Sequence, residues 1–317
     1  MELGFVGCLK KIMRRNAQEV AMTKPSIAGN GHEINRVLSA STNSPNVTQV
    51  LQPVPTMSLR PGPSKPVPFA FGQTTMVPSP AWYGITDTGR VRERNEDNFA
   101  ILELADRVLF VVADGMGGHD AGDVASRIAT EAVCKIVEGD HSVLTDPLAL
   151  VERAVQEANI EVLQEGVRRR SDIGTTLSVV LVVNNFAYIA HVGDSRVYWI
   201  ENGSISQITN DHSLVAKLVA SRTLTKAEAR NHPKSNLLFR SIGTDENVKV
   251  DTVRIVLKKG GTLLLCTDGL WGEISDEDMH RICTSERDAV PVAAKLVRAA
   301  NENGGKDNIT AIVARVS

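Results

Sequence analysis

The sequence predicts an α+β fold in which antiparallel sheets carry helices on their faces. Three observations point there. Short runs rich in Val, Ile and aromatic residues recur from residue 108 onward, which is the composition of strands. Several of these runs are separated by only a few turn-forming residues, so neighbours run antiparallel. Segments of helical period stand apart from the runs, which segregates helices onto the sheet faces.

Residues 1–80 hold ten of the chain's 13 prolines. Pro53, Pro55, Pro61, Pro63, Pro66, Pro68, Pro78 and Pro80 would break a long helix or a central strand. The stretch is therefore expected to be a disordered, Pro-rich N-terminal extension. Within it, residues 8–22 carry Lys10, Lys11, Arg14 and Arg15 and read either as a short basic docking helix or as plain tail. Residues 81–317 have the texture of one globular domain. A strand is expected over 108–113. A helix follows over 123–138, with Val124, Ile128, Ala132, Val133 and Ile136 on one side. A second helix over 147–165 aligns Val151, Val155, Ala158 and Val162. Strands over 176–183 and 187–192 flank the turn Asn184-Asn185, and a strand over 196–200 ends at Asn202-Gly203. Residues 211–248 interrupt the pattern with two short helical stretches (214–220 and 225–231), Pro233 and a strand-like 237–242. This insertion reads as a flap over a site or as a surface subdomain. Strands over 253–257 and 262–267 flank Lys259-Gly260-Gly261. A helix over 290–301 and a strand over 309–316 complete the chain.

The chain has 317 residues, is 42% hydrophobic and carries a net charge of −2, which gives no general attraction to nucleic acid or anionic membrane. Residues 1–80 contain eight Lys or Arg against three Glu, and residues 81–317 contain 27 against 34 Asp or Glu. An acidic domain without a basic, aromatic-studded groove argues against a nuclease. Cys8, Cys134, Cys266 and Cys283 form no C-x-x-C pair, so reduced core thiols in a cytoplasmic protein are expected. No apolar run approaches the roughly 20 residues that span a bilayer. The Phe5-Val6-Gly7-Cys8 string lacks the basic and apolar region that precedes a cleavage site.

Chemistry concentrates in five short turns: Asn95-Glu96-Asp97, Asp114-Gly115, Gly193-Asp194-Ser195, Thr267-Asp268-Gly269 and Lys306-Asp307-Asn308. Most adjoin an apolar run, which places each acid where a strand meets a loop. Two carboxylates about 4 Å apart repel by about 1 to 4 kcal/mol at effective dielectrics of 80 to 20. A converging set needs protons or cations, and oxygen-only ligands suit hard ions such as magnesium or manganese.

Their order and context carry a resemblance. The series Thr86-Asp87-x-Gly89-x-x-Arg92-x-x-Asn95-Glu96-Asp97, Ala113-Asp114-Gly115-Met116-Gly117-Gly118-His119, Gly174-Thr175-Thr176, Val192-Gly193-Asp194-Ser195-Arg196, Thr267-Asp268-Gly269-Leu270-Trp271 and Lys306-Asp307-Asn308-Ile309-Thr310 resembles the metal-dependent serine/threonine protein phosphatases of type 2C, in their bacterial branch. That resemblance implies an α-β-β-α sandwich, two antiparallel sheets flanked by helices, with metals at one end. It implies two Mn2+ or Mg2+ ions and a weaker third. Asp114 would bridge the pair beside the Gly115 carbonyl. Asp268 and Asp307 would complete one shell, Glu96 and Asp97 the other side partly through water, and Asp194 with Asp268 would hold the third. Arg92 would grip the phosphoryl group, with Arg90 and Arg94 as neighbouring alternatives; Thr175 and Thr176 would support the site.

The implied reaction is hydrolysis of phosphoserine or phosphothreonine by a metal-bridged water, with Arg92, Asp114 and Asp268 at its centre. No nucleophile role falls to Ser195. Animal members carry His after the Asp-Gly pair; here Met116 stands there, leaving His119 or a metal-held water as proton donor. The implied partners are phosphorylated proteins and a cognate Ser/Thr kinase, acted on by a monomer. A regulatory phosphatase of narrow specificity and an inactive phosphoprotein-binding scaffold are the competing readings. The retained acids and Arg92 oppose the scaffold.

Overall fold

The computed structural model describes residues 81–117, 121–140, 146–225, 228–229 and 232–317. The extension and basic helix expected within residues 1–80 lie outside them. Among the described residues, two antiparallel sheets are built from eleven strands. The first is ordered β1 (Trp82–Asp87), β11 (Ile309–Arg315), β10 (Thr262–Cys266), β7 (Arg196–Glu201) and β8 (Ser204–Gln207). The second is ordered β2 (Asp97–Glu103), β3 (Arg107–Gly117), β5 (Leu177–Val183), β6 (Phe186–Val192) and β9 (Asp251–Val256), with β4 (Ile173–Thr175) on the end of β3. The described helices are α1 (Gly122–Gly139), α2 (Pro147–Arg169), α3 (Leu214–Ala220), α4 (Asp268–Trp271), α5 (Asp276–Ser285) and α6 (Ala289–Glu302).

Strand periodicity sorts the side chains into three cores and so into four layers. Leu109, Val111 and Ala113 of β3 and Val179 and Leu181 of β5 pack under α1 and α2. Phe110, Val112 and Val180, one residue out of phase, meet Val197, Leu263, Leu265 and Ile312 of the first sheet. Leu264, Cys266, Ala311 and Val313 turn outward against α5 and α6. Each fully buried Val, Leu or Ile side chain contributes about 1.5–3 kcal/mol. The architecture is the expected α-β-β-α sandwich.

Several elements differ in detail from the sequence reading. The 147–165 helix continues to Arg169, where Arg170 closes it in a left-handed conformation at φ 55°. The face that α1 buries is Ala125, Ala129, Ala132, Val133 and Val137, rotated from the expected one. Val124, Ile128 and Ile136 lie half-buried at its margins, because the small residues seat the helix against its neighbours. Residues 237–242 form no strand; Leu238 and Ile242 make single bridges to Ser213 and Thr175. Of the helix expected over 225–231, residues 226, 227, 230 and 231 lie outside the described residues. The Lys259-Gly260-Gly261 turn joins no hairpin: it passes the chain from β9 in one sheet to β10 in the other. The strands β1, β2, β4 and β8 and the helices α4 and α5 are additional to those expected.

Two other passages between the sheets, β1 to β2 and β6 to β7, occur at the opposite end. Register gathers the acids there. Asp97 pairs with Asp114 across β2 and β3. Cys266, two residues before Asp268, pairs with Arg196 on one side and Ala311 on the other. Ile309, two residues after Asp307, pairs with Asp87.

Candidate metal centre

Asp97 opens β2 and is held from the opposite sheet. Its Oδ2 accepts hydrogen bonds from Thr267 Oγ1 at 2.7 Å and Thr310 Oγ1 at 2.6 Å. Thr267 and Thr310 also bond each other, since Thr310 N–H donates to Thr267 Oγ1 at 3.0 Å. Asp114, near the end of β3, is fixed through its backbone. Its N–H donates to Thr176 Oγ1 at 2.9 Å, and its carbonyl accepts from Thr175 Oγ1 at 2.8 Å. Thr175 and Thr176 therefore support the centre, as expected. Asp194 sits in the β6–β7 turn, where Trp271 Nε1–H donates to its carbonyl at 3.0 Å. Asp268 begins α4, and Asp307 precedes β11 with Oδ1 accepting from Asn308 N–H at 2.9 Å.

Glu96 stands to one side. Its carboxylate lies at the start of α1, bonded by Gly122 N–H, where the N-cap residue Ala121 offers no side-chain cap and the helix end favours negative charge. Gly115 has a packing reason to be glycine: a Cβ there would stand 2.0 Å from the Gly122 carbonyl oxygen and 2.6 Å from that of Glu96. Arg92, half-exposed at the rim, donates from Nη2 to Asp307 Oδ2 at 2.7 Å. An exposed pair of this kind is worth about 0–1 kcal/mol, so its significance is positional. Arg90 donates its backbone N–H to the Gly305 carbonyl.

The acids are close enough to govern one another. Burial first, then the charges of Asp268, Asp97, Asp194 and Asp307, hold the Asp114 carboxyl well above the usual carboxylate range. Burial likewise lifts Asp97 well above it, against the pull of the Thr310 and Thr267 hydroxyls. Asp194 is raised by burial and then by Asp268 and Asp211. Arg196 is not its partner, because that guanidinium bonds Asp211 at 2.7 and 3.0 Å. Asp268 is pushed up to about 6 by burial and by Asp307, while a hydrogen bond with Asp114 acts the other way. Arg92 is raised chiefly by its hydrogen bond to Asp307.

A hard divalent cation fits these residues. Asp97 Oδ1 and Asp268 Oδ1 are buried without a hydrogen-bond partner, a cost that an ion would remove. The donors are all oxygens, the set that magnesium and manganese take. Among the described residues, no three His, Cys, Asp or Glu side chains already stand in a metal-binding arrangement. The acids are thus gathered at one end of the fold.

Some supporting residues escaped the sequence reading. Asn308 pins the β1–β2 loop at three points: Oδ1 accepts from Glu96 N–H at 2.8 Å, and Nδ2 donates to the carbonyls of Thr88 at 2.9 Å and Arg94 at 2.8 Å. Its place beside Asp307 was the available signal. Thr267 and Thr310 were visible as motif members, but their grip on Asp97 depends on the packing of the two sheets. His119 lies outside the described residues. Met116, which has no proton to give, lies near Gly174, where an added Cβ would meet its Cε at 2.9 Å.

A cleft of about 790 Å3 opens beside Asp268 and Asp307. Val215 and Val219 of α3 line it with Trp271, and the Arg196–Asp211 pair lies between. The Arg196 guanidinium stacks 3.5 Å from the centre of the Trp271 ring.

Comparison with known proteins agrees with this architecture. Residues 88–314 match the family model for protein phosphatase 2C. The serine/threonine phosphatase Stp of Listeria monocytogenes (serotype 4b, strain F2365) is 38% identical over 233 residues, covering 72% of this chain and 92% of that relative. The crystal structure of the serine/threonine phosphatase Stp1 of Staphylococcus aureus superposes with a TM-score of 0.71 at 31% identity, over 80% of this chain and 100% of that one. The catalytic domain of the phosphatase PstP, solved in complex with two manganese ions, superposes with a TM-score of 0.66 at 32% identity, over 74% of this chain and 98% of that one. With its two-sheet sandwich, its cluster of turn-borne acids and a family match over most of its length, the chain belongs to the protein phosphatase 2C family.

Proposed function

We propose that this chain hydrolyses phosphoserine and phosphothreonine esters of proteins at the acidic end of the sandwich. The observation that carries the reading is the convergence of buried acids from separate turns, two of them with unpartnered oxygens, beneath an exposed arginine. It is supported by relatives that are themselves named serine/threonine phosphatases.

Two Mn2+ or Mg2+ ions would be held by Asp114 and the Gly115 carbonyl, with Asp268 and Asp307 on one side and Asp97 and Glu96 on the other; Asp194 with Asp268 would hold a weaker third. Bound cations screen phosphoryl charge and make water a nucleophile at neutral pH. The chain's own groups do the rest. Thr267 and Thr310 hold one oxygen of Asp97 so that the other faces the centre. Arg92, permanently charged, can present its planar fork to two phosphoryl oxygens. Water adds to phosphorus in line and gives up a proton to solvent as the bond to the Ser or Thr oxygen breaks, and that oxygen takes a proton from His119 or from a held water, since Met116 has none to give. The cleft beside Asp268 and Asp307 admits the polypeptide around the phosphorylated residue.

In this reading residues 81–317 are the catalytic unit, residues 211–248 a flap beside the cleft, and residues 1–80 an appendage. The partners are phosphoproteins and a Ser/Thr kinase whose work is reversed, and the enzyme acts as a cytoplasmic monomer. No helix of the described residues is long and apolar enough to cross a membrane. The test is turnover of an aryl phosphate and of a phosphothreonine peptide, with Mn2+, with chelator, and after Asp268→Asn. Activity that survives the chelator or the substitution refutes the reading.

A further inference from the structure

The 211–248 insertion is bonded near each end to a segment that adjoins an acid of the centre. At its far end Ile242 and Thr175 exchange backbone hydrogen bonds of 2.9 and 3.1 Å, and Thr175 is the residue whose hydroxyl bonds the Asp114 carbonyl. At its near end Asp211 bonds Arg196, and His212 grips the turn itself. His212 N–H donates to the Gly193 carbonyl at 2.7 Å, and Gly193 N–H donates back to His212 Nδ1 at 3.0 Å.

This bond fixes the tautomer. A backbone N–H can only donate, so Nδ1 must present its lone pair and Nε2 must carry the hydrogen. Nε2–H then donates to Asp251 Oδ2 at 3.1 Å, while Asp251 Oδ1 accepts from Arg240 Nη1 at 2.7 Å. The 2.9 Å approach of Arg240 Nη1 to His212 Nε2 is two donors converging on one carboxylate. His212 is buried, and burial favours its neutral form. The turn it grips has little freedom: Gly193 has φ +109°, and a Cβ there would stand 2.6 Å from the Thr176 side chain. Without the Nδ1 acceptor, the Gly193 N–H would be left buried and unpaired, and the turn would shift to satisfy it.

We propose that His212 is a positioning residue for Asp194, its Nδ1 holding the Gly193–Ser195 turn so that Asp194 reaches the cation it shares with Asp268. The proposal rests on the reading of Asp194 as an ion ligand. It also makes His212 the joint through which the insertion beside the cleft is tied to the ion site.

The experiment is calorimetric titration of the full-length protein with Mn2+, joined to thermal midpoints and aryl phosphate kinetics. The variants are His212→Ala, His212→Asn, His212→Gln and Asp194→Asn. An Asn Oδ1 can replace Nδ1 as acceptor for Gly193 N–H; a Gln amide can replace only the donor toward Asp251. The weakest Mn2+ event is expected to weaken by about 10- to 100-fold, the range for residues that orient metal ligands, in His212→Ala and His212→Gln. His212→Asn should keep it near wild type, and kcat should follow the same order. A purely structural role would lower the thermal midpoint in all three and leave the isotherm unchanged, which overturns the proposal. So does a His212→Asn isotherm as poor as that of His212→Ala. If Asp194→Asn loses the weak event while His212→Ala keeps it, only the positioning role fails. If Asp194→Asn changes nothing, the ligand reading fails and the proposal with it.

Discussion

The space between the sheets is closed to solvent, the acidic end of the sandwich is partly so, and the two are chemically opposite. Val112, Val180, Ile189, Leu265 and Ile312 are fully buried between the sheets; Asp97 and Asp194 are 7% and 4% exposed at their end. The same strands serve both. β3 runs from Leu109 to Asp114 and beyond, and the chain of β10 passes from Leu263 through Thr267 into Asp268. Burial of the apolar residues stabilises the fold. Burial of the acids raises their pKa values and costs stability wherever they must ionise. A fold that tolerates the second cost from strands that supply the first gain is built to receive positive charge.

Substitutions should separate the two regions. Asp268→Asn should lower turnover by about 10^3- to 10^4-fold, or about 4–5.5 kcal/mol of transition-state stabilisation, in steady-state assays with Mn2+, while the protein stays folded by circular dichroism. Leu265→Ala should do the reverse: denaturant unfolding should show a loss of about 2–5 kcal/mol, with kcat per folded molecule preserved. Arg92→Ala should lower kcat/KM by about 100-fold, as removal of one preorganised donor does. Arg92→Lys should recover only part of that, because an ammonium keeps the charge without the fork.

A smaller effect is expected from pH. Asp268 titrates at about 6 in the ion-free fold against 3.8 ordinarily. Between those values the native state keeps a proton that the unfolded chain has released, so stability is highest below the window and falls as pH rises through it. In chelator, the thermal midpoint should fall from pH 5 to pH 7; saturating Mn2+ should reverse that slope. Smallest of all, removal of residues 1–80 should change aryl phosphate turnover by less than about twofold, since every residue read into the centre lies within residues 81–317.

The sandwich was legible where strands are buried on both faces, because such strands read as unbroken apolar runs: residues 176–183 and 262–267 are found within a residue or two of their expected limits. β2 was not, because it begins Asp97-Asn98 and is half-buried through most of its length. The helix α5 had local signals, with Ser275 accepting from Asp278 N–H at 3.0 Å and Met279 and Cys283 buried one turn apart, but its polar composition hid them. In the site, each acid adjoins its own run and could be named singly. The partners could not, because Thr267 and Thr310 reach Asp97 from the other sheet, and Asp211 meets Arg196 only after the chain has turned back through β8.

The most direct test of the central claim is to count ions and protons together. Ion-free protein would be titrated with Mn2+ at pH 6 in buffers of different ionisation enthalpy, with Asp114→Asn as the comparison. The account predicts at least two ions per chain, net proton release from the raised carboxyls as they bind, and loss of both in Asp114→Asn. Fewer than two ions, or binding with no proton release and no dependence on Asp114, would contradict it.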